Sequence, residues 1–291
     1  MASPDPIDGL LALDPGARGI GKFYRPGAAR AAARSLARGK RVVLTTGFAV
    51  GPGLAETDGP PGTAVLGRAL RLVGKSVTYV VDDVAAPLME AALKALGEPV
   101  EVLVLPDAGA VEGLRRRLAR DRPSHLVAVE RPGRAADGEY RSARGDSVTA
   151  WNGPLDALFL SRPRGARTVG IGDGGNEIGM GNVRRHLLRQ GRLAKKIASV
   201  VRVDHLVVAG VSNWGAYGVT AHLSVLAKRP LLHTAEEERR IVTACVDAGG
   251  VDGITRRREA TVDGLPLSAH AAMVELLRAL VDRKIRGGPR S

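Results

Sequence analysis

The sequence predicts an α/β fold: a doubly wound, mostly parallel sheet flanked by helices, with a helical C-terminal extension. Three observations predict it. Short β-branched runs alternate with Ala/Leu/Arg-rich runs whose apolar residues recur at helical spacing. The connections between them are short, which implies right-handed crossovers between parallel strands. The strand candidates are apolar throughout, as expected of strands covered on both faces.

The elements follow in order. Residues 1–25 are rich in Pro, Gly and Asp and are read as an extended N-terminal arm. Residues 26–285 are read as a single α/β domain, and 286–291 as a frayed tail. Strands are expected at Arg41–Thr46, Val77–Val81, Val100–Leu105, His125–Glu130, Thr168–Ile171 and His205–Ala209. Helices are expected at Gly62–Val73, Ala85–Leu96, Ala110–Arg120, Glu177–Gln190 and Gly215–Lys228. Thr234–Ala248 and Leu267–Lys284 complete the helical extension, joined by an aperiodic segment with paired Asp-Gly turns.

Composition sets the class. The 291 residues are 44% hydrophobic and 25% charged, enough for a sizeable core. No run approaches the ~20 apolar residues of a spanning helix. The start, MASPDPIDGL, has no basic n-region before an apolar stretch, so no signal peptide is expected. The lone cysteine, Cys245, excludes an internal disulfide and a cysteine-based zinc site, and the expected compartment is the cytoplasm. A net charge of +13 raises the question of nucleic acid. The basic residues are dispersed along helical stretches such as Arg30–Arg38 and Arg115–Arg122, and aromatics are only 3%, so solvated helix faces are the better reading. Neither a nucleic acid nor a membrane is an expected partner; a homo-oligomer is left open.

In an open parallel sheet, ligands bind beyond the carboxyl ends of the strands. Nearly every expected strand here runs into acids, amides or glycines. The richest segment is Gly170–Gly181, GIGDGGNEIGMG. Gly170, Gly172 and Gly175 match the spacing of a dinucleotide fingerprint. Two features argue against a nucleotide. Asp173 and Glu177 would place negative charge where a pyrophosphate needs bare N–H groups. No acid stands about 20 residues further on to hold a ribose. A plain turn would explain one acid and two glycines, but not Asp173, Asn176 and Glu177 together. Hard oxygen donors on a pliable backbone suit Mg²⁺ or Mn²⁺.

Other strand ends add candidates. Asp82-Asp83 could simply start a helix, yet shares the sheet edge with Asp173. Glu56 and Asp58 lie in a Pro/Gly loop too long for a plain connection. Glu130-Arg131 reads equally as a surface ion pair or part of a site. Asn213 and Trp214 are either core or a substrate wall. The sequence has no HExxH, no GxSxG and no P-loop, and Cys245 sits in a helical run without a nearby histidine.

Six motifs in order carry a family resemblance: TTGF at 45–48, ETDGPPGT at 56–63, DD at 82–83, ERPG at 130–133, GIGDGGNEIGMG at 170–181 and SNWGAYG at 212–218. Together they resemble the D-glutamate cyclase family, in its stand-alone form, from the first strand through Asp252-Gly253. The resemblance implies a hydro-lyase that converts D-glutamate to 5-oxo-D-proline and water at a divalent-metal carboxylate site. On that basis Asp83, Asp173 and Glu177 are the expected metal ligands, with Glu56, Asp58, Asp82 and Asp252 as further ones. Glu130 is the candidate base, and Asn176 orients substrate or a water held by the metal. Arg131 and Arg144 are candidates to clamp a substrate carboxylate. Thr46, Gly47 and Phe48 form one wall, with Asn213 opposite. The competing readings are a metal-dependent hydrolase of a small phosphate or amide, and a non-enzymatic module that binds anions or nucleic acid.

Overall fold

A computed structural model of the chain describes residues 5–287. In chain order the strands are β1 (Arg41–Thr46), β2 (Ala49–Gly51), β3 (Leu54–Ala55), β4 (Ser76–Val81), β5 (Val102–Val104), β6 (His125–Val129), β7 (Arg167–Gly172), β8 (His205–Val208), β9 (Thr261–Val262) and β10 (Leu265–Pro266). Six of these form one sheet in the order β5-β4-β1-β6-β7-β8, with every neighbouring pair parallel. The remaining four make two small antiparallel hairpins, β2–β3 and β9–β10.

The helices are α1 (Pro6–Leu11), α2 (Ala28–Arg38), α3 (Pro60–Leu72), α4 (Ala86–Ala95), α5 (Ala108–Asp121), α6 (Ala157–Leu160), α7 (Arg184–Leu187), α8 (Arg192–Ile197), α9 (Ser212–Ala227), α10 (Ala235–Asp247) and α11 (Leu267–Arg286). Strand residues alternate between two cores, as the two-residue strand period requires. Leu44, Val127 and Ile171 face the layer built by α2, α3 and α9. Val43, Val80, Leu126 and Ala128 face the layer of α5 and α6. Helix α9 is buried from Ser212 through Ser224, which explains why its sequence is apolar on all sides. Helix α10 begins with a capping box in which Thr234 and Glu237 satisfy each other's backbone amides. Helices α10 and α11 pack on α4 and α9, so the C-terminal extension is a third wall of the main core.

Two expectations require correction. The N-terminal arm is not extended. It contains α1, capped by Asp5, and buries Ile7, Leu11, Ile20 and Phe23. Four apolar side chains spaced through a Pro/Gly-rich stretch are enough to fasten it to the domain. The helix expected at Glu177–Gln190 does not form as one element. Instead the chain turns back on β7 and only later makes the short helices α7 and α8. Gly170 permits that return: a Cβ there would lie 2.3 Å from the Ile178 carbonyl oxygen. The end of the tail, residues 288–291, lies outside the described residues. Among those described, no helix is long and apolar enough to cross a membrane.

The strand order reverses between β1 and β6. Chains leaving these neighbours run to opposite sides of the sheet and open a crevice at their carboxyl ends. That crevice positions the site.

Candidate active site: an acidic crevice at the strand switch

A cavity of about 410 Å³ sits over this crevice, with Phe48, Glu56, Glu130, Asp173 and Asn176 among its walls. Glu130 follows β6 and Asp173 follows β7, so parallel register brings the two acids to the same edge. Asp58 arrives from the loop after β1. Carboxylate oxygens of Asp58, Glu130 and Asp173 lie within 4.8 Å of one another, and all three residues are buried.

Each acid is held differently. Asp58 accepts the backbone amides of Asn213 at 2.8 Å and Ser212 at 2.9 Å. These are the first amides of α9, so the helix N-terminus faces a carboxylate. Glu130 Oε2 accepts the Ser212 hydroxyl at 2.5 Å, and its backbone is left-handed at φ 42°. Asp173 Oδ1 is ion-paired to Arg18, while buried Oδ2 has no hydrogen-bond partner.

Burial and mutual crowding leave these acids short of positive charge. Burial and the neighbouring Asp263 carboxylate push Asp58 up to about 8, against the two amides that favour its charged form. Glu130 is raised well above the ordinary carboxylate range by burial and by the nearby Glu177 and Glu56. Asp173 is raised by burial, and the Arg18 guanidinium offsets only part of this. Glu56 is raised by burial and by Asp263 and Asp58. Three buried carboxylates with converging oxygens, one of which carries an oxygen without a hydrogen-bond partner, fit a hard divalent cation. Asp58, Glu130 and Asp173 are the residues that would hold it.

The glycine loop has a different architecture from the one its spacing suggests. Glu177 folds beneath it: Oε1 accepts the amides of Asp173 at 2.9 Å and Gly174 at 2.5 Å, and Oε2 accepts Gly175 at 2.7 Å. The N–H groups that would cradle a phosphate are therefore consumed, which disposes of the dinucleotide reading. The loop is also laced to the segment after β6. Ile178 donates to the Arg131 carbonyl and Gly133 donates to that of Asn176, both at 2.9 Å.

Several expected residues play other parts. Glu177 is a buried scaffold, its carboxylate spent on three loop amides, so it is not placed as a metal ligand. Asp83 is exposed and lies on a separate cleft. Asp82 is taken up by the Arg131 guanidinium at 2.6 Å and by the amides of Ala85 and Gly153. Asp252 receives Ile254, Thr255, Thr261 and Gly264, which shapes the turn before β9. Arg131 is not a substrate clamp: it is 1% exposed and donates to the carbonyls of Gly47 and Gly153. Asn213 is not a substrate wall, because its side chain binds Gly59, Gly62 and Thr57. It holds the start of α3 against the start of α9.

Others do reach the cavity. Phe48 and Asn176 line it, the latter with its amide donating to the Arg141 carbonyl at 2.8 Å. Glu56 lines it beside Gly253. Exposed Arg144 stands at the rim, bonded to the Ile254 carbonyl. Thr46 lies behind the wall, buried, with its hydroxyl unpartnered. Gly47 takes a left-handed turn at φ 100° that points the chain from β1 toward Phe48.

Two site residues escaped the sequence reading. Arg18 in the arm pairs with Asp173 and, at 2.7 Å, with Asp263 in the β9–β10 turn. Neither follows a strand of the six-stranded parallel sheet, so no register argument along that sheet could find them. Backbone strain does mark them. Of the six non-glycine residues with positive φ among the described residues, Arg122 and Lys228 cap helices, whereas Ala17, Glu130, Arg256 and Asp263 lie at this cavity or next to a residue that does.

Comparison with known proteins agrees with the motif resemblance. The chain is 33% identical, over 95% of its length, to "D-glutamate cyclase, mitochondrial" of Homo sapiens. It spans about half, 51%, of that curated relative. A solved structure of an exopolyphosphatase-related protein from Bacteroides fragilis aligns with 91% of this chain and 62% of its own, at 9% identity and a TM-score of 0.41, a likeness that carries no argument. The family model described as D-glutamate cyclase-like, C-terminal, matches residues 7–278, and the chain belongs to that family.

Proposed function

We propose that the protein is a D-glutamate cyclase, a lyase that closes D-glutamate to 5-oxo-D-proline with loss of water. The observation that carries the reading is the convergence of Asp58, Glu130 and Asp173 beside a cavity of amino-acid size that Glu130 and Asp173 line, within a chain of this family. The compartment in which the reaction runs is a separate matter, since the human relative is named as mitochondrial.

The reaction makes clear demands. The α-amine must be neutral when it attacks the γ-carboxyl carbon, and one carboxyl oxygen must leave as water. A Mg²⁺ or Mn²⁺ ion held by Asp58, Glu130 and Asp173 would supply Lewis acidity that masks the charge of the γ-carboxylate. The chain's own groups supply the rest. Glu130, fixed by the Ser212 hydroxyl and raised above the ordinary carboxylate range by burial, is the cavity carboxyl placed to exchange a proton with substrate. The substrate ammonium gives up two protons, one before attack and one as the C–N bond forms, and both end on the γ-carboxyl oxygen that departs as water; Glu130 as carboxylate takes the second and as carboxylic acid delivers it to that oxygen. Asn176 and Phe48 shape the wall that holds the substrate in its ring-closing conformer, which supplies the proximity contribution.

The test is direct. Purified protein is incubated with D-glutamate and Mn²⁺ or Mg²⁺, and 5-oxo-D-proline is followed by chiral chromatography. Turnover is expected, with L-glutamate inert and EDTA abolishing the signal. Hydrolysis of small phosphates or amides without any 5-oxo-D-proline would transfer the site to a metal-dependent hydrolase.

A further inference from the structure

The cavity has one internal cation, and it comes from outside the sheet. Arg18 sits in the arm loop between α1 and the turn at Ile20–Lys22. That loop is built to present it. Asp14 accepts the amides of Arg18 at 2.9 Å, Gly19 at 2.7 Å and Ile20 at 3.2 Å, curling the chain around one carboxylate. Ala17, immediately before Arg18, is held at φ 50°. The arm crosses the sheet edge at Gly210, whose amide donates to the Leu11 carbonyl, and a Cβ there would stand 1.9 Å from the Leu13 carbonyl oxygen. Ile7, Leu11, Ile20 and Phe23 anchor the segment on both sides of the loop.

The position of Arg18 conflicts with a loaded site. Its guanidinium occupies Oδ1 of Asp173, one of the three acids placed to hold a cation. A divalent ion at the partnerless Oδ2 would stand beside a guanidinium on Oδ1, and the two positive charges repel. The substrate brings a further requirement. Ring closure consumes the γ-carboxylate and leaves the α-carboxylate intact, so that group needs a cation that is not the metal. Of the other cavity arginines, Arg144 is exposed at the rim and tied to a carbonyl, and Arg256 is exposed.

We propose that Arg18 receives the α-carboxylate of the substrate, and that its pairing with Asp173 is a resting position it leaves when a divalent cation takes that carboxylate. The inference rests on the cyclase reading above. A planar fork of donors suits a carboxylate, and the Asp14 loop keeps the fork within reach after it leaves Asp173. Asp14 is then a positioning residue, acting through Arg18. Metal loading at Asp173 and release of Arg18 are then coupled, which favours metal binding before substrate.

Calorimetry tests this without relying on turnover. Mn²⁺ is titrated into wild type, Arg18→Gln and Arg18→Lys, each free of metal and substrate. Arg18→Gln is expected to bind Mn²⁺ at least tenfold more tightly, because the competing cation is gone. Arg18→Lys, which keeps the charge, is expected to stay near wild type. The Mn²⁺-loaded proteins are then titrated with 5-oxo-D-proline, which carries only the α-carboxylate. Binding is expected to weaken tenfold or more in Arg18→Gln. Asp14→Ala, with Arg18 intact, should shift Mn²⁺ affinity in the same direction as Arg18→Gln. Unchanged or weaker Mn²⁺ binding by Arg18→Gln overturns the resting position, and unchanged 5-oxo-D-proline binding overturns the receptor role. Wild-type protein that binds Mn²⁺ but never turns over D-glutamate defeats the cyclase reading and the receptor role with it, while the Mn²⁺ comparison still decides where Arg18 rests.

Discussion

Glu177 accepts the backbone amide of Asp173 at 2.9 Å, so one acid of the glycine loop fixes the chain that carries the other. Glu177→Ala leaves three loop amides without their acceptor, and for the two buried ones, of Asp173 and Gly175, an unmet donor costs about 1–3 kcal/mol each. Urea unfolding should show a clear loss of stability. Mn²⁺ affinity should drop about 10–100-fold, the usual effect of removing an outer support.

Asp173→Asn acts on the cluster itself. It replaces an oxygen that has no partner in the protein and removes a charge a cation would use. Mn²⁺ affinity, measured by calorimetry, should fall by more than the about 100-fold expected of an outer support, and cyclisation should be lost with it. A variant retaining full activity and metal affinity would remove Asp173 from the site.

Arg131 offers the opposite case. Arg131→Ala leaves Asp82 and the carbonyls of Gly47 and Gly153 without their buried donor. Breaking such a pair typically costs about 3–5 kcal/mol, so the melting temperature should drop sharply. The KM of whatever folded enzyme remains should hardly move, whereas a true substrate clamp would raise it.

The pH dependence of stability carries a sign that follows from the acids. Asp58 sits at about 8 in the folded chain, well above its ordinary value of 3.8. A raised carboxyl favours the folded state while protonated, so its contribution is complete at low pH and is lost as pH rises toward 8. His125 and His222 are depressed to about 4, so their contribution is complete above about 6.5 and is lost on acidification. Between pH 6.5 and 8 the acids alone act. Metal-free protein should lose stability across that window, by at most about 1.4 kcal/mol per pH unit for each proton involved. Saturating Mn²⁺ should flatten or reverse the slope, and a metal-independent melting profile would count against the cation site.

Much of the sheet was legible because its signals are local. Arg41–Thr46 is a strand as expected, and two of the clustered acids, Glu130 and Asp173, directly follow β6 and β7, where the strand-end rule looks for them. The roles of those acids were not legible. Asp82 and Asp173 both follow strands, but Asp82 meets a buried arginine 49 positions away in the chain, and only the fold brings the pair together. Glycine spacing at 170–181 suggested a strand-to-helix turn, yet the fate of the loop amides depends on which way the Glu177 side chain points. Arg18 and Asp263 come from the two ends of the chain. No spacing rule connects them, because both belong to irregular segments whose position is set by what they pack against.

That pairing of chain ends has a consequence in time. The Arg18–Asp263 contact cannot exist until the chain has been made through residue 263. During synthesis the sheet can assemble from its early strands while the acidic crevice still lacks its C-terminal side. Contacts of such long sequence separation are slow to close. A nascent chain stalled before residue 263 would therefore present Asp58, Glu130 and Asp173 as an uncovered acidic patch, open to ions and to basic segments of its neighbours.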